Sequence, residues 1–266
     1  MNIHGIIIEV AQAGDVPATE SFYRDALGLD DRVGVRVEPQ PSSGFRGFAP
    51  SLILQQPEDV DAVVGRTIPA GAQVLKPVAK SLWGYGGSLV APDGTTWQIA
   101  NANKNATGPA TGQVERLVLL LGVDDVKATK VFYEERGLKV AKSFGSKYVE
   151  FASGKVQLAL HKRAALAKQL GMASASGSGS HRLTVASDDT FTDPDGYAWT
   201  SDETARPHHR CRRSTRRSAV EQRGTTLLVQ AATLGAEQAT PRSTLRSSPL
   251  RLVHGTARRA GSHSPQ

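Results

Sequence analysis

The chain lacks most of what usually announces a function. Its 266 residues hold one cysteine, Cys211, so no disulfide forms within the chain, and a reducing cytoplasm is the expected setting. No apolar run reaches the ~18 residues of a membrane span, so none is expected. The opening residues, MNIHGIIIEV, have no basic leader or small-residue cleavage site and read as a strand. There is no GxSxG and no CxxC, so no nucleophile or redox motif stands out. His208, His209 and Cys211 look like half of a metal site without its second half. Gly84–Gly87, GYGG, lacks the Lys-Ser/Thr that a phosphate loop requires.

Lysine is also missing from the last quarter. Residues 201–266 carry 12 Arg, no Lys and 4 acidic residues, net +8, while residues 1–200 carry 20 basic and 21 acidic residues, net −1. The two sum to the chain's +7, so the basic excess belongs to the tail. The body gives no reason to expect a nucleic-acid partner, and the tail is the only candidate arm for one. Rich in Arg, Ser, Thr and Pro and without apolar periodicity, the tail is expected to be disordered, as a solvated arm or an out-of-frame extension.

What is present is a duplication. Ala18–Leu29, ATESFYRDALGL, returns one residue shorter at Ala128–Leu138, ATKVFYEERGL. Ala91–Trp97, APDGTTW, returns in the same order as Asp193–Trp199, DPDGYAW. Two phrases recurring in order mark a tandem repeat. In each first phrase the Phe-Tyr pair lies on the inward face of a helix, and Gly28 or Gly137 stands where a left-handed cap ends it. Asp15 and Asp125 are the expected N-caps. A short apolar strand precedes each helix, Ile3–Val10 and Arg116–Val123, and further strands follow.

Strand, capped helix, Phe-Tyr pair, Gly-Leu stop and PDG turn together resemble the βαβββ module of the vicinal oxygen chelate superfamily: glyoxalase I, bleomycin-resistance proteins and extradiol dioxygenases. The resemblance implies an α+β fold of tandem modules forming cupped, incompletely closed barrels. It places one glyoxalase-like domain at 1–101, a Gly/Asn/Thr linker at 102–112, a degenerate second domain at 113–200, and the tail at 201–266. Modules are expected to pair within each domain, around a ligand site. Between Ser187 and Asp193 there is no room for the helix that the first domain has, so the second copy is the more eroded.

In this superfamily a divalent metal is often held by His, Gln or Glu on a module's first strand and by Glu on its last. Carried over, the candidates are His4, Gln98, His161 and His181. Gly5 stands in strict register beside His4, and one residue of offset turns a side chain to the other face. Glu9 is a further acid outside that register. Ser51–Leu52 holds no His, and Val118 and Thr200 occupy the remaining ligand places. Two histidines without a carboxylate seldom make a site, so no complete metal set is expected.

The ligand-binding candidates are Trp83 and Tyr85 on KSLWGYGG, read as a glycine-rich loop, faced by Phe45 and Arg46, the latter for an anionic or carbonyl group. Phe144, Lys147 and Tyr148 are their counterparts in the second copy. Three functions stay open: a binder of a small oxygenated or aromatic ligand without a complete metal site; a divalent-metal glyoxalase-like lyase or extradiol-type dioxygenase; and a non-catalytic scaffold. A small molecule is the expected partner, with a homodimer through exposed strand edges as a further one.

Overall fold

A computed structural model describes residues 1–29, 31–82, 84–105 and 108–202. Trp83, Cys211 and the tail beyond Asp202 lie outside the described residues.

The chain opens with β1 (Ile3–Val10) and α1 (Asp15–Ser21), whose last turn continues as a π-helix over Phe22–Ala26. β2 (Val33–Val37) and the short β3 (Ser42–Gly44) follow. A whole βαβββ module comes next: β4 (Phe48–Leu54), α2 (Pro57–Thr67), β5 (Gln73–Ser81), β6 (Gly84–Val90) and β7 (Thr96–Asn101). A second repeats it: β8 (Val114–Val123), α3 (Val126–Glu135), β9 (Lys139–Ser143), β10 (Tyr148–Ala152) and β11 (Gln157–Lys162). The described chain closes with α4 (Arg163–Leu170), β12 (Gly177–Gly179), β13 (Leu183–Ser187), β14 (Phe191–Thr192) and β15 (Ala198–Thr200). KSLWGYGG is therefore no loop: its ends belong to the β5 and β6 hairpin strands.

The two whole modules share one eight-stranded sheet, ordered β5-β6-β7-β4-β8-β11-β10-β9. Read outward from the β4–β8 seam, each half runs first, last, third, second strand. First and last strands are parallel in both halves, and the seam is antiparallel. A five-stranded sheet, β14-β15-β13-β1-β2, is built by the two incomplete modules at the ends of the body. Its seam is again an antiparallel pair of first strands, β1 with β13. Modules thus pair across the halves, the second with the third and the first with the fourth, which corrects the expectation of pairing within each half. Neither sheet closes on itself. The fold is mixed α+β, as expected.

Burial on both faces explains the apolar run of β8. Leu117, Leu119 and Leu121 enter the main core with Phe48, Leu52, Trp97, Leu158 and helix residues such as Val60, Val126 and Tyr133. Val118 and Leu120 face the other way into a second cluster. A strand buried on both sides reads as continuous rather than alternating, and each fully buried leucine contributes about 1.5–3 kcal/mol. The repeated phrases meet alike in both copies: Tyr23 lies 5.3 Å from Trp97 and Tyr133 lies 5.3 Å from Trp199.

The helices of the two copies differ at their ends. Asp125 caps α3, accepting from the Lys127 and Ala128 amides. Asp15 lies inside the first turn of α1, where no side chain caps the end, so that expectation is corrected. Gly28 and Gly137 both adopt left-handed φ, 70° and 84°, as their places require. The one-residue difference between the copies is taken up in the π-turn: the amide of Leu29 reaches the Tyr23 carbonyl, and that of Leu138 reaches the Tyr133 carbonyl, across one residue fewer.

Candidate functional site

One side of the eight-stranded sheet faces away from α2 and α3. Register brings Gln98, Ser51, Val118 and Gln157 side by side across its middle. Half of this face is filled by the chain itself. Leu166 and Leu170, one helical turn apart on α4, with Ala167, pack onto Ala49, Val118, Leu120, Ala159 and Phe45. Ser88 Oγ donates to the Leu170 carbonyl at 2.5 Å, Lys76 Nζ to that of Gln169 at 3.2 Å, and Gln169 Nε2 to Gln98 Oε1 at 3.2 Å. The other half carries a polar chain. Tyr148 donates to Glu150 at 2.7 Å, and Arg116 Nη1 reaches Gln157 at 2.9 Å and Glu150 at 3.5 Å. Burial and then the Glu150 bond push the Tyr148 phenol well up.

On the five-stranded sheet the corresponding face holds Glu9, only 5% exposed, where Arg36 Nη2 donates to it at 2.6 Å and Thr184 at 2.7 Å. Arg36 also donates to Thr184 at 2.7 Å. This closed triad neutralises the one carboxylate there.

The four metal candidates do not converge. His4 is the extra residue of a β-bulge between Ile3 and Gly5, and its Nε2 lies 2.6 Å from Asp188 Oδ1. Gln98 is engaged by Gln169. His161 shares the face of Gln98 but is level with Gly122, four residues along from Gln157, or about 13 Å. It packs on Tyr148 at 4.9 Å, and burial drops its pKa to about 4. His181 lies outside β13, stacked on Tyr197 at 4.1 Å, with Nδ1 2.5 Å from the Arg46 carbonyl and Nε2 3.1 Å from that of Asp195. Each nitrogen faces a backbone carbonyl, and a neutral imidazole has one N–H to donate to them. Among the described residues no three His, Cys, Asp or Glu side chains gather as a metal site. Ser51, Gln98 and Val118 offer no charged ligand, and Thr200 stands on the other sheet.

Of the ligand-binding candidates, Phe45 and Arg46 meet at a cavity of about 450 Å³, and Tyr85 does not line it. Tyr85 instead donates to Asp61 on α2 at 2.8 Å. The rest of the lining comes from Arg163 at the start of α4, residues 175–180 and His181. Arg46 is held at the cavity edge: Nη2 donates to the Asp93 carbonyl at 2.8 Å, Nη1 to Thr95 at 3.2 Å, and the Asp93 carboxylate stands off at 3.9 Å. Burial lowers the Arg46 pKa, with Asp93 opposing the shift and Arg182 adding to it. A second hollow of about 250 Å³ lies on the far side of Arg46, against Phe48, Thr96 and Met172.

Sequence reasoning missed Arg163 and the 175–180 loop, which reads only as a flexible Gly/Ser stretch. Its β12 pairs with β3 because Gly177 lets the backbones close: a side chain there would strike the Phe45 carbonyl.

These features define a class first: a four-module assembly of the βαβββ kind, two modules whole and two reduced, with its open cavity at the rim. No protein-family model and no curated protein matches the chain. Among solved structures it resembles glyoxalase I from Zea mays, at TM-score 0.48 and 12% identity, over 74% of this chain and 90% of that one. A glyoxalase/bleomycin resistance protein/dioxygenase family enzyme from Burkholderia phytofirmans PsJN resembles it at TM-score 0.33 and 18% identity, over 38% and 99%. A glyoxalase-related enzyme from Fulvimarina pelagi does so at 0.27 and 22%, over 39% and 96%. Among the described residues no helix is long and apolar enough to cross a membrane.

Proposed function

We propose that this chain is a small-molecule binding protein built on vicinal oxygen chelate modules, taking an oxygenated or aromatic ligand without a metal. The observation that carries this reading is the cavity of about 450 Å³ walled by Phe45 and Arg46. Its size suits a small metabolite, Phe45 supplies an apolar surface and Arg46 a fixed pair of donors. The sheet face where a cation belongs offers mostly neutral groups, and α4 fills half of it. Fold alone does not choose between binding and catalysis, so the reading rests on these residues.

The test is a thermal-shift screen of small aromatic acids, amides and alcohols, run with and without chelator, beside the metal content of the purified protein. Stabilisation that survives the chelator supports the binder. Stoichiometric metal lost on His4→Ala or His181→Ala, with ligand effects that vanish in chelator, overturns it in favour of a metal-dependent lyase or dioxygenase.

A further inference from the structure

We propose that the rim cavity is an oxyanion site: it takes the carboxylate or phosphate group of a small ligand between Arg46 and Arg163, against the Gly/Ser strand of residues 176–180. This rests on the reading of the cavity as the ligand site and names the chemistry it recognises.

The lining consists of Arg46, Arg163, three serines, two glycines, His181 and two apolar residues, with no carboxylate among them. Both arginines are poorly compensated. Arg46 is 15% exposed with its nearest carboxylate oxygen at 3.9 Å, and Arg163 is 26% exposed and also 3.9 Å from its nearest, on a 90% exposed Asp124. Separations of that kind exceed a charge-assisted hydrogen bond by about 1 Å. Arg182 stands close enough to Arg46 to disfavour its charge further.

The two guanidinium groups are also prevented from collapsing away. Thr95 and the Asp93 carbonyl hold Arg46. Arg163 lies in a niche that Gly47 leaves open beside the Tyr197 hydroxyl, where any side chain at position 47 would strike it. A guanidinium matches the two oxygens of a carboxylate or phosphate in a planar fork. Ser176 and Ser180 add hydroxyl donors, while Ser178 is paired with Ser43, and serine and glycine demand little room.

The experiment measures binding of benzoate, phenyl phosphate and benzamide to the full chain by calorimetry. The expected result is that one or both anions bind at least about tenfold tighter than benzamide. Whichever of the two binds tighter names the anion. Arg163→Gln is expected to weaken the anions by about 10- to 100-fold and to leave benzamide unchanged. Should that variant fail to fold, the unaltered protein gives the same answer through salt. Raising it from about 0.05 M to about 0.5 M weakens benzoate and not benzamide if the contact is ionic. Equal affinity for benzoate and benzamide overturns the oxyanion site and leaves the ligand-binding reading standing. Binding of none of the three overturns both.

Discussion

The eight-stranded and five-stranded sheets are the same construction at two levels of completeness. Both are seamed by an antiparallel pair of first strands, β4 with β8 and β1 with β13. The larger sheet has four strands on each side of its seam, the smaller two on one side and three on the other. The modules at the ends of the body have lost strands, and the fourth has lost its helix, yet the seam survives. What holds a pair of modules together is thus the contact between first strands, and outer strands are dispensable. The faces differ in the same sense. On the larger sheet α4 covers half the hollow with leucines, whereas the smaller one pins a single buried acid with Arg36 and Thr184.

The largest test of that difference is Leu166→Ala. It removes a fully buried side chain from the face that α4 covers, so a loss of about 2–5 kcal/mol is expected in denaturant unfolding. A loss under about 1 kcal/mol would show that α4 merely rests on the larger sheet.

Next comes the acid limb. His161, buried beside Tyr148 on the larger sheet, has its pKa lowered from 6.5 to about 4 by burial. A lowered pKa on a base means stability that is complete above the unfolded value and lost as pH falls through the folded one. Unfolding free energy measured from pH 7 down is therefore expected to drop by about 3 kcal/mol through this one group. His161→Gln is expected to flatten that window between about 6.5 and 4. An unchanged slope would place the acid sensitivity elsewhere.

The smallest test separates the two copies. Tyr133 donates its hydroxyl to buried Asp193 at 2.5 Å. The first copy has Ala91 at the matching place, and the Tyr23 hydroxyl is buried beside Asp93, Thr95 and Trp97 without a well-aligned partner among them. Tyr133→Phe should therefore cost about 1–3 kcal/mol, and Tyr23→Phe close to nothing or slightly less than nothing. Equal costs in thermal unfolding would mean that the copies are not as different as this one residue makes them.

The architecture was legible because it is written in repeated, spaced residues. The Phe-Tyr pair, the capping glycines and the PDG turns each impose local geometry and mark the duplication, although the second module holds only a PDG turn and the third only a Phe-Tyr pair. Ile3–Val10 and Val33–Val37 form strands over the very spans that their apolar pattern marks. The partner of each module was not legible, since nothing local in β1 says whether β4 or β13 will lie beside it. The site was half legible. Phe45 and Arg46 line one cavity, but without the Tyr85 they were expected to face, and Arg163 reads in sequence as one more charge at a helix start. Gly177–Gly179 has no apolar signal, and pairs with β3 through backbone and a Ser43–Ser178 hydroxyl bond.

The π-turn after Ser21 carries a consequence for how these copies are to be compared. An extra residue has been absorbed in the last turn of the helix, with Tyr23 at its start still seated on Trp97 and Gly28 downstream still turning the chain. Lining up the copies with the length difference assigned to a surface connection would put one of those two anchors out of step. Inside a helix, a swollen turn can record an insertion that no loop displays.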